Sequence, residues 1–176
     1  MPLPTAHGLL GAGLVAAFYA RPVSGRRAVP LLAGALLANA ADFDFVLVFA
    51  LNSKAWHRGF THSLAFALAV TLTLALSLGR RRLREAVAYG LAFASHGVLD
   101  FLTAKEGGGV ELLWPFAGER LRLGWWGLSE VPSRLPPAGV LRALALEIVL
   151  FAPPLLAVLL LRKAAAKRAT QAAPTD

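Results

Sequence analysis

The amino-acid sequence predicts an all-α fold, a polytopic transmembrane helix bundle of about five spans with a polar site at its outer end. Three observations predict it: five long apolar segments, basic clusters that follow alternate segments, and histidines and aspartates that share one depth. Of the 176 residues, 57% are apolar and only 16% are charged. A soluble domain carries roughly 25% charged residues, and a mean hydropathy of +0.60 fits a bilayer instead.

The spans are expected at residues 7–20, 29–51, 63–79, 86–104 and 139–161. A helix needs about 20 residues to cross the hydrocarbon core, so the first, short and Gly-rich, is the weakest of the five. Gly11, Gly13, Ala16, Ala17, Gly34 and Ala38 are the small residues that close helix packing in lipid favours. Pro153 and Pro154 should kink or break the last span. Residues 1–161 then form one membrane-embedded domain, and 162–176 a basic, polar cytoplasmic tail expected to be disordered.

Orientation follows from Lys and Arg in short loops. Arg21, Arg26 and Arg27 follow the first span, Arg80, Arg81, Arg82 and Arg84 the third, and Arg162, Lys163, Lys167 and Arg168 the fifth. These share one side, expected to be cytoplasmic, which places the N-terminus outside and the C-terminus inside. Trp56, Trp114, Trp125 and Trp126 all fall in the two outer loops, where indoles sit at headgroup level, and Tyr19 and Tyr89 lie near inner ends. The formal net charge of +8 is therefore a topology signal and not a nucleic-acid surface. The N-terminal stretch has no basic region before its apolar part, so a cleaved signal peptide is not expected.

The polar residues gather on this frame. His7 lies at the outer end of span one, Asp42 and Asp44 in the outer part of span two, and His57 and His62 at the outer entrance to span three. His96 and Asp100 lie in the outer half of span four. Ionisable groups inside a bilayer cost several kcal/mol unless paired or solvated, and no Lys or Arg lies within spans two or four. A divalent cation would supply the missing charge. The chain has no cysteine, so the ligands must be His and carboxylate.

Spacing refines the set. His96 and Asp100, four apart, share a helical face. Asp42 and Asp44, two apart, are about 200° apart on an α-helix, so both serve one site only if the helix is distorted or one acts from behind the other. HRGFTHS at 57–63 suits a bent loop entering a helix, with Thr61 a candidate N-cap. The expected metal ligands are His7, Asp42, Asp44, His62, His96 and Asp100, and the catalytic residues Asp42, Asp44, His57 and Arg58. Mixed His/Asp ligation suits zinc first, with manganese or iron as alternatives, and there is room for two ions. Arg58 is either a headgroup-level charge or a bidentate grip on phosphate or carboxylate. Glu147 in span five is expected to pair with Arg142 or to approach the site, and Trp114-Pro115-Phe116 to anchor at the interface.

Thr5-Ala6-His7-Gly8, the acidic Asp42-Phe43-Asp44, HRGFTHS at 57–63, SHGVLDFLT at 95–103 and Trp114-Pro115-Phe116 occur in this order across the first two-thirds of the chain. On these motifs the chain resembles the YdjM-like family of inner-membrane metal-dependent hydrolases. The family has proline before its acidic pair; Ala41 stands here, so the residue that would favour a bend is missing. The resemblance implies metal-dependent hydrolysis at the inner membrane. Depth and Arg58 point to a lipid-linked or amphiphilic ester or phosphoester near the outer face, with membrane lipids as partners. The rival readings are a metal or proton transporter and a non-catalytic scaffold stapled by metal.

Overall fold

Proline opens three of the helices, the last of them at Pro137, because its missing N–H falls where a helix start has no partner to offer it. Pro4 begins α1 (Pro4–Phe18) and Pro30 lies in the first turn of α2 (Val29–Leu37). These elements come from a computed structural model, which describes residues 2–19, 28–104, 108–125 and 137–171. Arg21, Arg26, Arg27, Trp126 and the end of the tail after Gln171 lie outside the described residues.

After α2 the chain tightens into a 3-10 turn, Ala40–Asp44, and resumes as α3 (Phe45–Ala50). The two parts of this broken element are bent by 47°. Short 3-10 turns at Lys54–Trp56 and Phe60–His62 lead to α4 (Leu64–Leu78), with a 54° bend at the junction. Ser63, and not Thr61, caps α4: its hydroxyl accepts from the Phe66 N–H at 3.1 Å. Thr61 is drawn away to a carboxylate. Gly79, at φ 77°, closes α4 in a conformation that side chains resist. The turn Arg80–Arg82 then leads into α5 (Leu83–Thr103), and α6 (Pro137–Gln171) ends the described chain.

All five apolar segments of the sequence are helical, and no strand occurs among the described residues. By length and composition two helices can cross a membrane, or four if each bent pair is one span. With 15 residues, α1 is about 22 Å long, short of the roughly 30 Å core. Of the kink or break expected in the last span the break does not occur, and the expected disorder of the tail is corrected. Pro153 and Pro154 lie inside α6 without breaking it, since their fixed φ is helical and the cost is lost N–H donors, which a long membrane helix tolerates. The tail is helical to Gln171, because Ala164, Ala165 and Ala166 are strong helix formers and the basic residues beyond them suit a helix C-terminus.

Helix α5 is the hub, packed against α1, α2 and α4, while α6 packs on α1 and leaves Leu141, Val149, Leu156 and Leu161 exposed. Small residues set the approach distances. A Cβ on Gly11 would collide with Ala38 and the Gly34 carbonyl where α1 crosses α2, and one on Gly97 would collide with the His62 carbonyl. Gly13 meets nothing within 4 Å. Gly97→Ala should therefore destabilise the protein by about 1–3 kcal/mol through overpacking, whereas Gly13→Ala should not lower stability, since alanine favours the helix. Unfolding midpoints of the two variants in one detergent check this pair.

Candidate metal centre

The broken backbone carries the polar groups to one place. His7 lies in the first turns of α1, His96 and Asp100 one turn apart on α5, Asp42 in the turn between α2 and α3, and His62 in the turn before α4. His7, His96 and Asp100 are fully buried, and Asp44 and His62 are 1% and 2% exposed. The gap left by α3 and α4 is filled by the 57–63 loop. Segment 108–125 holds that loop: Glu111 N–H donates to the Arg58 carbonyl at 3.0 Å, and Arg120 Nη2 to the Ala55 carbonyl at 2.6 Å.

The distances are those found between ligands of a metal ion. Asp42 Oδ1 lies 3.5 Å from His62 Nε2 and 3.3 Å from His96 Nε2. Asp100 Oδ1 lies 3.5 Å from His7 Nε2, and its Oδ2 lies 3.9 Å from His62 Nε2. Ligands bonded at about 2.1 Å to a tetrahedral ion stand roughly 3.4 Å apart. His7, His96 and Asp100 form one group able to hold an ion, Asp42, His62 and His96 a second, and Asp42, Asp44 and His57 a third.

Hydrogen bonding separates ligand atoms from supporting ones. The Ala38 carbonyl, 2.6 Å from His96 Nδ1, can only accept, so that nitrogen carries a proton, and in the neutral ring Nε2 keeps a lone pair. Thr61 Oγ1 donates to Asp44 Oδ2 at 3.2 Å and so accepts from His62 Nδ1 at 3.0 Å, which leaves His62 Nε2 in the same state. Buried and without any hydrogen-bond partner are His7 Nε2, His62 Nε2, His96 Nε2, Asp42 Oδ1 and both Asp100 oxygens. In their neutral forms the two imidazoles thus turn lone pairs towards one carboxylate oxygen. Such acceptors at this spacing repel one another unless a cation joins them.

Asp44 is built differently. Its Oδ1 meets His57 Nδ1 at 3.1 Å, and its Oδ2 accepts the Arg58 N–H at 2.9 Å as well as the Thr61 hydroxyl. The 3-10 winding eases the geometry: positions two apart are about 120° apart at three residues per turn, against 160° in an α-helix. The bend expected from proline is therefore present with Ala41 in its place. The headgroup reading of Arg58 is corrected, since the side chain is buried and its Nε lies 3.3 Å from Asp100 Oδ2. The pairing of Glu147 with Arg142 is also corrected: Glu147 accepts from the Leu3 and Ala6 N–H groups. Sequence reasoning gave no role to the Ala38 carbonyl or to Glu111. Backbone acceptors leave no trace in a sequence.

Apolar helices around a buried His/Asp cluster at one end define a polytopic membrane protein with a candidate metal centre. The chain belongs to the YdjM inner membrane protein family, whose sequence pattern matches residues 1–169. It is similar to the inner membrane protein YbcI of Escherichia coli (strain K12), 36% identical over 122 residues that cover 63% of this chain and 69% of that protein. No solved structure matches the chain.

Asp44→Ala should free the 57–63 loop, because three donors lose one acceptor. Loss of each buried partner costs about 1–3 kcal/mol, so the Arg58 amide should exchange with solvent at least tenfold faster. Hydrogen exchange by mass spectrometry measures it.

Proposed function

We propose that this protein is an integral-membrane, metal-dependent hydrolase that acts near the outer membrane face on a lipid-linked or amphiphilic ester or phosphoester. The observation that carries the reading is the convergence of buried polar atoms without hydrogen-bond partners at His7, Asp42, His62, His96 and Asp100. Charge supports it as well. Asp42, Asp44 and Asp100 bring three negative charges, Arg58 answers one, and a divalent ion such as zinc, manganese or iron would answer the rest. When bound, such an ion would polarise a carbonyl or phosphoryl group and acidify water.

The remaining residues have work of their own. His57 is held at Nδ1 by Asp44 and is stacked on Phe45 at 4.3 Å between ring centres. Its Nε2 is left to take or give a proton, as a base oriented by a carboxylate does. Arg58 stands beside Asp100, where a guanidinium can steady an anionic group. Asp42 and His57 are the partly open members of the cluster, with side chains 19% and 20% exposed. Around them Phe43, Phe45, Phe49 and Trp56 are exposed, so the open flank borders apolar surface suited to an acyl chain. In the proposed orientation the N-terminus is outside and the basic end of the bundle cytoplasmic.

A transport path would require polar groups at full depth. The hydroxyls of Thr71, Thr73 and Ser77 instead donate to carbonyls of their own helix, and the inner core is Val15, Tyr19, Ala88 and Ala92.

Purified protein should carry a stoichiometric transition-metal ion, which a His96→Ala, Asp100→Ala double variant loses; full metal content in that variant would sink the site. Turnover of long-chain esters or phosphoesters should stop with chelator. His57→Ala should retain the metal but lose about 10²-fold or more in kcat, the usual contribution of a proton-transfer group. Metal analysis alongside kinetics separates these two effects, and turnover unchanged by chelator would leave only a structural role for the ion.

A further inference from the structure

Glu147 and Arg162 are charged residues of α6 that the candidate site does not use, and both reach α1. Glu147 is 4% exposed, and its two carboxylate oxygens accept from the Leu3 N–H at 2.6 Å and the Ala6 N–H at 3.1 Å. These are donors that a helix start leaves without an intrahelical partner, and Leu3, the N-cap of α1, provides no side-chain bond of its own. At the other end, Arg162 Nη1 donates to the carbonyls of Ala16 and Tyr19 at 2.5 and 2.7 Å. An acid sits at the positive end of α1 and a base at its negative end, the favourable sense at both. Glu147 and Arg162 are as far apart in sequence as α1 is long, so the two helices run parallel and in step.

We propose that α6 clamps α1 at both ends and that Glu147 is a positioning residue for the metal centre, fixing the depth and rotation that aim His7 at Asp100. The inference rests on reading His7 as a metal ligand. Ala6, whose N–H Glu147 holds, is the residue next to His7, whose Nε2 lies 3.5 Å from Asp100 Oδ1. Helix α1 is too short to span the core alone, and Gly8, Gly11 and Gly13 weaken its intrinsic helicity, so its end depends on an outside acceptor. Without Glu147 the first turn frays and the centre loses its α1 ligand, while the ligands on α5 and in the turns stay in place.

Two measurements test this, one of them independent of metal. Cobalt(II) titrated into the purified protein gives a visible spectrum that reports ligand number. Glu147→Ala should reproduce the spectrum of His7→Ala and weaken cobalt binding about 10–100-fold, the usual effect of losing a ligand's support. Glu147→Gln, which retains an acceptor oxygen, should fall between Glu147→Ala and wild type. The chain lacks cysteine, so Ala6→Cys, at a fully buried position, is a clean reporter. Its thiol should react with maleimide about tenfold faster when Glu147→Ala is added, as an opening equilibrium shifts on loss of buried hydrogen bonds. Arg162→Ala should speed it less, since it frees the far end. A wild-type cobalt spectrum together with unchanged labelling in Glu147→Ala overturns the proposal. Should Glu147→Ala not fold, Glu147→Gln and Arg162→Ala decide by the same labelling rates. Should wild type take no cobalt, the metal reading fails, and labelling still decides whether the clamp exists.

Discussion

A carboxylate in an apolar bundle must find a donor or a cation, and this requirement organises the end of the molecule that holds the His/Asp cluster. Each buried acid meets it in a different way. Asp44 collects a backbone N–H, a hydroxyl and an imidazole; Glu147 takes two N–H groups at a helix start; Asp100 has Arg58 alongside. At the other end Glu85, 2% exposed, is held by Arg82 Nε at 2.6 Å. Asp42 differs, because its Oδ1 faces only the imidazole nitrogens of His62 and His96. The cost of burying that oxygen is several kcal/mol. The whole cluster therefore reads as a built receptacle for positive charge.

Such a receptacle cannot be assembled from straight helices. Six candidate ligands on four elements must meet at one depth, and unbroken spans would send Asp42 and Asp44 to opposite sides. The 47° break between α2 and α3 and the 54° break before α4 turn those chains inward. Non-helical backbone at membrane depth survives only where protein satisfies it. Here the Asn39 amide donates to the Ala35 carbonyl at 2.8 Å, and the Leu64 N–H to the Leu112 carbonyl at 3.0 Å. The bend thus needs no proline. Contacts made after the break hold it, and Ala41 merely permits it.

The helices and the convergence of His and Asp were legible in the sequence because both are depth signals. Apolar run length and Lys/Arg clusters locate each residue along the membrane normal, and every histidine then falls at one level. Rotation about the normal was harder to read. Whether Asp42 or Asp44 faces the other ligands depends on a 3-10 turn fixed by partners in a distant loop, and the lone pair of His96 depends on the Ala38 carbonyl. Glu147 suggested an ion pair with Arg142 because the two are close in sequence, yet its partners are N–H groups more than a hundred residues earlier. Local rules also misread the middle of α6 and its end. They weigh proline and alanine without the long helix that carries them.

The loop that closes the site shows what the chain gives up for it. Arg58 has φ 59°, in the left-handed region, which costs a side-chain-bearing residue of order 1–3 kcal/mol and which glycine would adopt freely. Gly59 is the next residue, so a shift of the strained position by one place would remove the cost. The strain is held from both sides: the Arg58 N–H donates to Asp44, and its carbonyl accepts from Glu111. Those two bonds turn the residue so that its guanidinium lies against Asp100 while the neighbouring His57 stays at the open flank. A glycine would lose the guanidinium that reaches Asp100, and a relaxed arginine would carry its charge away from it. Retaining arginine at the strained position makes sense only if a positive charge beside Asp100 stabilises something worth more than that cost. What that charge stabilises is the buried aspartate itself, whose Oδ2 lies 3.3 Å from the guanidinium Nε.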